Sequence, residues 1–291
     1  MIHRYYKDGE QLDVAGLNQI TVLLDRSETE LTEIGWNQWR AGLEGPPHKH
    51  DDKEQLFYVT SGVGVVTVGK EDFVVKPGNL IYVPAGVVHR TNVTGGETLA
   101  YILFNIFLGA NKEGHATFAE HIEKMKSIRR QQADTGRADV DDSSTAPPSV
   151  KKGKFIANVY DAPRFEFGSN STLLLLDRPE TSGFETVVVQ WPPHSKGALV
   201  AHKEKEQAFF VLSGKGRITV GDQTEAVKTG DLVYVPRNTP HTTEAGEQEL
   251  SYLCLNCYVT ASKDKSFAEM FARIAPGRIK RWKSGDEKVG E

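Results

Sequence analysis

Short apolar runs separated by glycine- and proline-containing breaks occupy most of the chain. VVTVG, FVV, LIYVP and LAYILFNIF in the first half are too short for buried helices. They are also rich in β-branched and aromatic residues, so they predict strands. The glycines of SGVGVV and SGKGRI fit hairpins between such strands, and Gly-x-Gly alone is no phosphate signal. One stretch keeps a different period. In residues 115–133, Phe118, Ile122, Met125 and Ile128 recur at helical spacing and predict a helix packed on the strands.

The whole pattern occurs twice. At a shift of 152 residues, LLDRSET (23–29) falls on LLDRPET (175–181), and Glu54-Gln55 on Glu206-Gln207. Gly62, Gly64, Gly78, Pro84 and His89 fall on Gly214, Gly216, Gly230, Pro236 and His241. About 30 of the 67 positions from 23 to 89 are identical without a gap, which marks an internal duplication. After one deletion, LAYILFN (99–105) matches LSYLCLN (250–256). Each half predicts an all-β sandwich or barrel followed by a short helical segment. The expected domains are 1–137 and 155–291, joined by ADVDDSSTAPPSVKKGK (138–154), a polar linker.

With 291 residues, two domains of this kind can each bury a core. A formal net charge of −4 gives no reason to expect a nucleic-acid partner. The chain opens with charge instead of an apolar run, and no run approaches the roughly 20 residues of a membrane span. A cytoplasmic protein with no membrane partner is expected. Cys254 and Cys257 lie three apart on a predicted strand, so they point to opposite faces and read as core residues.

Chemistry concentrates in residues 42–89. His48 and His50 lie two apart, and extended backbone points both one way. Asp51 to Glu54 read as a turn, after which Gln55, Phe57 and Val59 share a strand face. His89 follows the turn Pro84-Ala85-Gly86. Three imidazoles and an amide oxygen can thus converge as a divalent-metal site with room for substrate. The spacing Gly42, His48, His50, Gln55, Gly62 and then Gly78, Pro84, Gly86, His89 resembles, without gaps, the two motifs of the cupin superfamily. One departure is Gln55 in place of the usual Glu, with Glu54 beside it.

The resemblance implies a bicupin, two double-stranded β-helix (jelly-roll) barrels with metal in the barrel cavity. In the second half His202, Gln207 and His241 remain, but Val200 replaces the first histidine, so a second metal site is possible and weaker. A neutral donor set leaves an ion (Fe, Mn, Ni or Zn) its full double charge, which suits Lewis-acid chemistry on a small oxygenated substrate, as in isomerases, lyases and hydrolases. Quercetinase-like dioxygenases and non-catalytic binding bicupins are the alternatives that the resemblance implies. Cupins acting on unsaturated uronates share the ligand set, but their acid has no match in TLAYILFNIF, so that substrate does not carry over. Glu54 and Tyr101 are candidate bases, and Arg40 and Trp36 candidate substrate contacts. Apolar strand faces allow a homodimer.

Overall fold

The computed structural model describes residues 1–135, 155–285 and 290, so the expected linker 138–154 lies outside the described residues. The fold is mostly antiparallel sheet, in two compact units: Lys7–Tyr160, and Met1–Tyr6 with Asp161–Glu291. Strand β1 (Ile2–Tyr5) belongs to the second unit. The first contains β2 (Gln11–Val14), β3 (Asn18–Leu24), β4 (Thr32–Trp39), β5 (Lys53–Ser61), β6 (Gly64–Val68), β7 (Glu71–Val75) and β8 (Asn79–Val83). It is completed by β9 (His89–Asn92), β10 (Leu99–Phe107), helix α1 (Phe118–Thr135) and β11 (Ile156–Asn158). The second continues with β12 (Arg164–Glu166), β13 (Ser171–Leu176), β14 (Phe184–Trp191), β15 (Lys205–Ser213), β16 (Lys215–Val220) and β17 (Gln223–Lys228). Then come β18 (Asp231–Val235), β19 (His241–Ala245), β20 (Leu250–Tyr258) and α2 (Phe267–Ser284).

The duplication seen in the sequence is a duplication of topology. The first unit has a seven-stranded sheet, β11-β8-β5-β10-β4-β3-β2, and a three-stranded one, β7-β6-β9. The second repeats this as β1-β18-β15-β20-β14-β13-β12 and β17-β16-β19. Register irregularities recur at matching places, Val22/Leu24 in the first unit and Leu174/Leu176 in the second. These are two copies of the jelly-roll plan, each closed by a helix.

The expected boundaries need a correction. β11 pairs with β8, and β1 pairs with β18, so each sheet takes its edge strand from a segment outside its own repeat. An uncovered β8 or β18 would present unpaired backbone N–H and C=O groups, which proteins avoid. The two additions are equivalent: Val159 N donates to Gly78 O, and Tyr6 N to the matching Gly230 O.

Apolar residues at alternate strand positions fill each barrel. In the first, Phe57, Val59, Val66, Val68, Tyr101 and Leu103 are buried together with Phe118 and Ile122 of α1, the helical stripe that the sequence predicts. The hairpin glycine Gly62 sits at φ 76°, and a Cβ there would lie 2.2 Å from Thr98 O. Its counterpart Gly214 has φ 83° and would meet Glu249 O at 1.9 Å. Both demands exclude a side chain. Among the described residues no helix is long and apolar enough to cross a membrane.

Asp25 ties helix to barrel. Its carboxylate accepts from Ser27 N within the 3-10 turn Arg26–Glu28 and from Phe118 N at the start of α1, both at 2.9 Å. Asp177 does the same for Arg178 N and Phe267 N. Asp25→Ala is expected to lower stability by about 1–2 kcal/mol, as loss of a helix cap does, with Asn at this position retaining part of it. A urea titration in which Asp25→Ala matches the parent protein would show that the tie carries no stability.

Candidate metal centre

Backbone pairing assembles the three histidines. The extended segment before β5 pairs with the start of β9: His48 N donates to His89 O at 3.0 Å, and His89 N to His48 O at 2.8 Å. Gly86 N donates to His50 O at 2.7 Å, closing the Pro84-Ala85-Gly86 turn against the same segment. The result is that ligating nitrogens of His48, His50 and His89 all lie within 4.8 Å of one another. Backbone carbonyls assign the tautomer of two of the rings. Nδ1 of His48 lies 3.0 Å from Pro46 O and Nδ1 of His89 lies 3.2 Å from Val87 O. A carbonyl can only accept, so each Nδ1 carries the proton and each Nε2 keeps its lone pair for a metal.

Gln55 is oriented by a chain of buried groups that begins at a charge. Arg26 donates to both oxygens of Glu33, at 2.6 and 2.8 Å, and both side chains are fully buried. A carboxylate accepts only, so Asn105 must turn its Nδ2 to Glu33, at 2.6 Å. Its Oδ1 then accepts from Gln55 Nε2 at 2.7 Å. What is left is Gln55 Oε1, buried and with no hydrogen-bond partner. An orphaned buried acceptor is costly unless something else satisfies it. Beside three imidazoles, a metal ion fits that need, and the donor set of three neutral nitrogens and one amide oxygen suits a divalent transition metal.

These residues line a cavity of about 60 Å³ in the barrel. Its wall holds more polar groups than the sequence suggests. Lys53, expected in a turn, is instead the first residue of β5, 1% exposed, on the inward face with Gln55 and Phe57. His121 enters from α1, 8% exposed, with Nε2 3.4 Å from Lys53 Nζ and its ring 6.0 Å from that of His50. Lys53 was legible by parity with Gln55 and by its repetition as Lys205. For His121 the only signal was negative, a polar residue in a helical stripe where the other half has Met270.

Three expected residues stand off the cavity. Glu54 lies on the opposite face of β5 from Gln55, and its carboxylate accepts from Tyr82 Oη at 2.5 Å. On β4 the inward residues are Asn37 and Trp39, so Trp36 falls on the other face, and Arg40 beyond the strand end pairs with Asp13 at the surface, 3.6 Å away. Tyr101 does line the cavity, where it stacks on Phe57 and its oxygen accepts from Trp39 Nε1 at 2.7 Å and Asn37 Nδ2 at 3.1 Å. Those bonds make it a fixed part of the wall.

The second barrel repeats the orienting chain. Arg178 pairs with Glu185 at 2.8 Å, Asn256 Nδ2 donates to Glu185 at 3.0 Å, and Gln207 Nε2 donates to Asn256 at 2.6 Å. Gln207 Oε1 is again without a partner. His202 and His241 stand nearby with ring centroids 5.2 Å apart, and Val200 fills the backbone position of His48, bridging to His241. Burial, and next the charge of Lys205, holds His202 well below the usual imidazole range, and burial lowers His241 to about 4. Both cysteines are buried free thiols, and burial pushes Cys254, on the cavity wall, up to about 12.

Comparison with known proteins agrees with this geometry. A cupin domain is matched twice, over residues 38–105 and 187–256. An uncharacterized protein of Methanocaldococcus jannaschii is 33% identical over 79 residues, 27% of this chain and 63% of that protein. One from Streptomyces coelicolor is 34% identical over 59 residues, 20% of this chain and 53% of the other, so both matches span less than two thirds of those relatives. Among solved structures, oxalate decarboxylase of Bacillus subtilis, a protein with Mn(II) centres, superposes with a TM-score of 0.65 at 18% identity. That superposition covers 90% of this chain and 78% of the other. This likeness is one of fold. With a cupin domain in each half and two jelly-roll barrels in tandem, the chain belongs to the cupin superfamily as a bicupin.

Proposed function

We propose that the first barrel is the catalytic centre of a metal-dependent enzyme of lyase type acting on a small oxygenated organic acid. The observation that carries this is the orphaned Gln55 oxygen beside three converging imidazoles. The ion would be held by His48, His50, His89 and Gln55 Oε1, and the Mn(II) centres of the structurally similar oxalate decarboxylase favour Mn among the candidate metals. When bound, a divalent ion with neutral ligands supplies Lewis-acid polarisation of a carboxylate or carbonyl. The protein supplies the rest. Phe57, Leu103 and Ile122 give the cavity apolar walls, its volume of about 60 Å³ restricts it to small substrates, and His121 with Lys53 can hold or move a proton.

Elemental analysis of untagged protein prepared without oxygen should find close to one divalent ion per chain. His89→Ala should weaken metal affinity by more than the roughly 100-fold that loss of a supporting hydrogen bond costs. The loaded enzyme should release CO2 from a small carboxylic acid without matching oxygen uptake. Protein that takes up no ion even on soaking would overturn the metal centre. Stoichiometric oxygen consumption would replace the lyase by a dioxygenase.

A further inference from the structure

The second barrel lacks one histidine of the set yet keeps a cavity of about 110 Å³, larger than that of the first. Its wall is cationic. Lys205, 7% exposed on the inward face of β15, and Arg278 from α2 line it together with His202, His241, Thr172 and Thr243, and no carboxylate lines it among the described residues. The nearest acid, Glu185, stands 3.9 Å from Lys205 Nζ but is shared: it pairs with Arg178 at 2.8 Å and accepts from Asn256 and Tyr258. The Arg278 guanidinium lies over the Phe167 ring on the same wall, 5.4 Å from its centroid. An adjoining hollow shares His202 and Lys205 and adds Lys203, Lys263 and Arg273; Arg273 is paired with Asp264 at 2.8 Å, and among the described residues Glu204 is the acid on its wall. Such a field draws anions inward.

A metal ion is poorly served here. Two imidazoles and an amide replace the fuller donor set, and the Arg278 guanidinium would stand as a like charge on the wall beside a divalent cation. A small anion meets the opposite conditions, since charge-assisted hydrogen bonds from a buried ammonium and a guanidinium fork are among the stronger ones that proteins make. We propose that the second barrel is a binding site for a small oxyanion, a carboxylate or phosphate, held between Lys205 and Arg278, and that it is not a second metal centre. This holds whether or not the first barrel is catalytic.

The test is calorimetric titration of the full chain, stripped of metal by a chelator, with malonate and with inorganic phosphate. At least one should bind at one equivalent per chain. Arg278→Gln, on a half-buried helix position, should weaken that binding about tenfold or more. Arg278→Lys should restore part of it, and His89→Ala in the first barrel should leave it unchanged. Thermal unfolding of each variant shows that it is folded. Three results would overturn the proposal: no heat from either anion at millimolar concentration, binding that is lost with His89→Ala but survives Arg278→Gln, or two divalent ions per chain of which His241→Ala removes one.

Discussion

Replacing Glu33 with alanine is expected to destabilise the first barrel by about 3–5 kcal/mol and to weaken its metal binding at the same time. Arg26 and Glu33 are both 0% exposed, and the guanidinium donates twice to the carboxylate. Removing the carboxylate leaves a guanidinium in the core without its counter-charge, the costly half of a buried ion pair. It also releases Asn105 from the acceptor that fixes its amide, and with it the polarity of Gln55. Metal affinity should therefore drop by about 10–100-fold, the usual cost of losing outer-shell support. A second variant separates the two effects. Arg26→Met with Glu33→Leu removes both charges and should recover most of the stability, because apolar replacement of a buried pair is often neutral. It should not recover the metal affinity, since nothing then orients Asn105. Denaturant titration and metal competition read the two quantities independently. A double variant that bound metal like the parent protein would sink the idea that Glu33 sets the Gln55 amide. The matching change, Glu185→Ala, serves as control: it should destabilise the second barrel and leave metal affinity in the first untouched.

How much of this was legible beforehand depends on what kind of signal each residue gives. The all-β class, the duplication and the approach of His48, His50 and His89 follow from strand-like runs and fixed spacings, because a ligand set built on extended backbone must keep its register, whereas the jelly-roll plan is what the resemblance to the cupin superfamily implies. The edge strands β1 and β11 gave no such signal. They are short segments whose partners lie elsewhere in the chain, and only pairing shows where they belong. Strand parity carries part of the site. It places Gln55 and Lys53 inward together and Glu54 outward, and it sets Trp36 and Arg40 apart from the inward Asn37 and Trp39. Glu33 and Asn105 were hidden in plain view. Both recur in the second half, as Glu185 and Asn256, but a polar residue inside an apolar strand becomes meaningful only once its buried partner is seen. The Asp25-Arg26 and Asp177-Arg178 pairs recur within the matching LLDRSET and LLDRPET segments, and the structure gives each aspartate a cap and each arginine a buried carboxylate.

His121→Gln is expected to reduce turnover by about 10²–10⁴-fold while leaving one metal ion per chain, the loss typical of a removed general acid or base. The argument rests on a correlation inside the molecule. Both barrels keep the inward lysine, Lys53 and Lys205, and both keep the Arg–Glu–Asn–Gln chain, so these belong to the shared architecture. The barrel with three histidines also has a fourth imidazole on its closing helix, where the other barrel has Met270. His121 is not within the set of nitrogens that lie 4.8 Å from one another, so the ligand role assigned to His48, His50 and His89 does not extend to it. Its ring nonetheless stands 6.0 Å from His50, and its Nε2 lies 3.4 Å from Lys53 Nζ, which gives it both a view of the cavity and a group with which to share a proton. His121→Met, copying the second barrel, should keep this buried helix position filled and lose the same rate as His121→Gln. Single-turnover rates set against metal content decide the matter. A variant that retained its ion and ran within about threefold of the parent rate would reduce His121 to a packing residue and leave the proton chemistry to substrate or solvent.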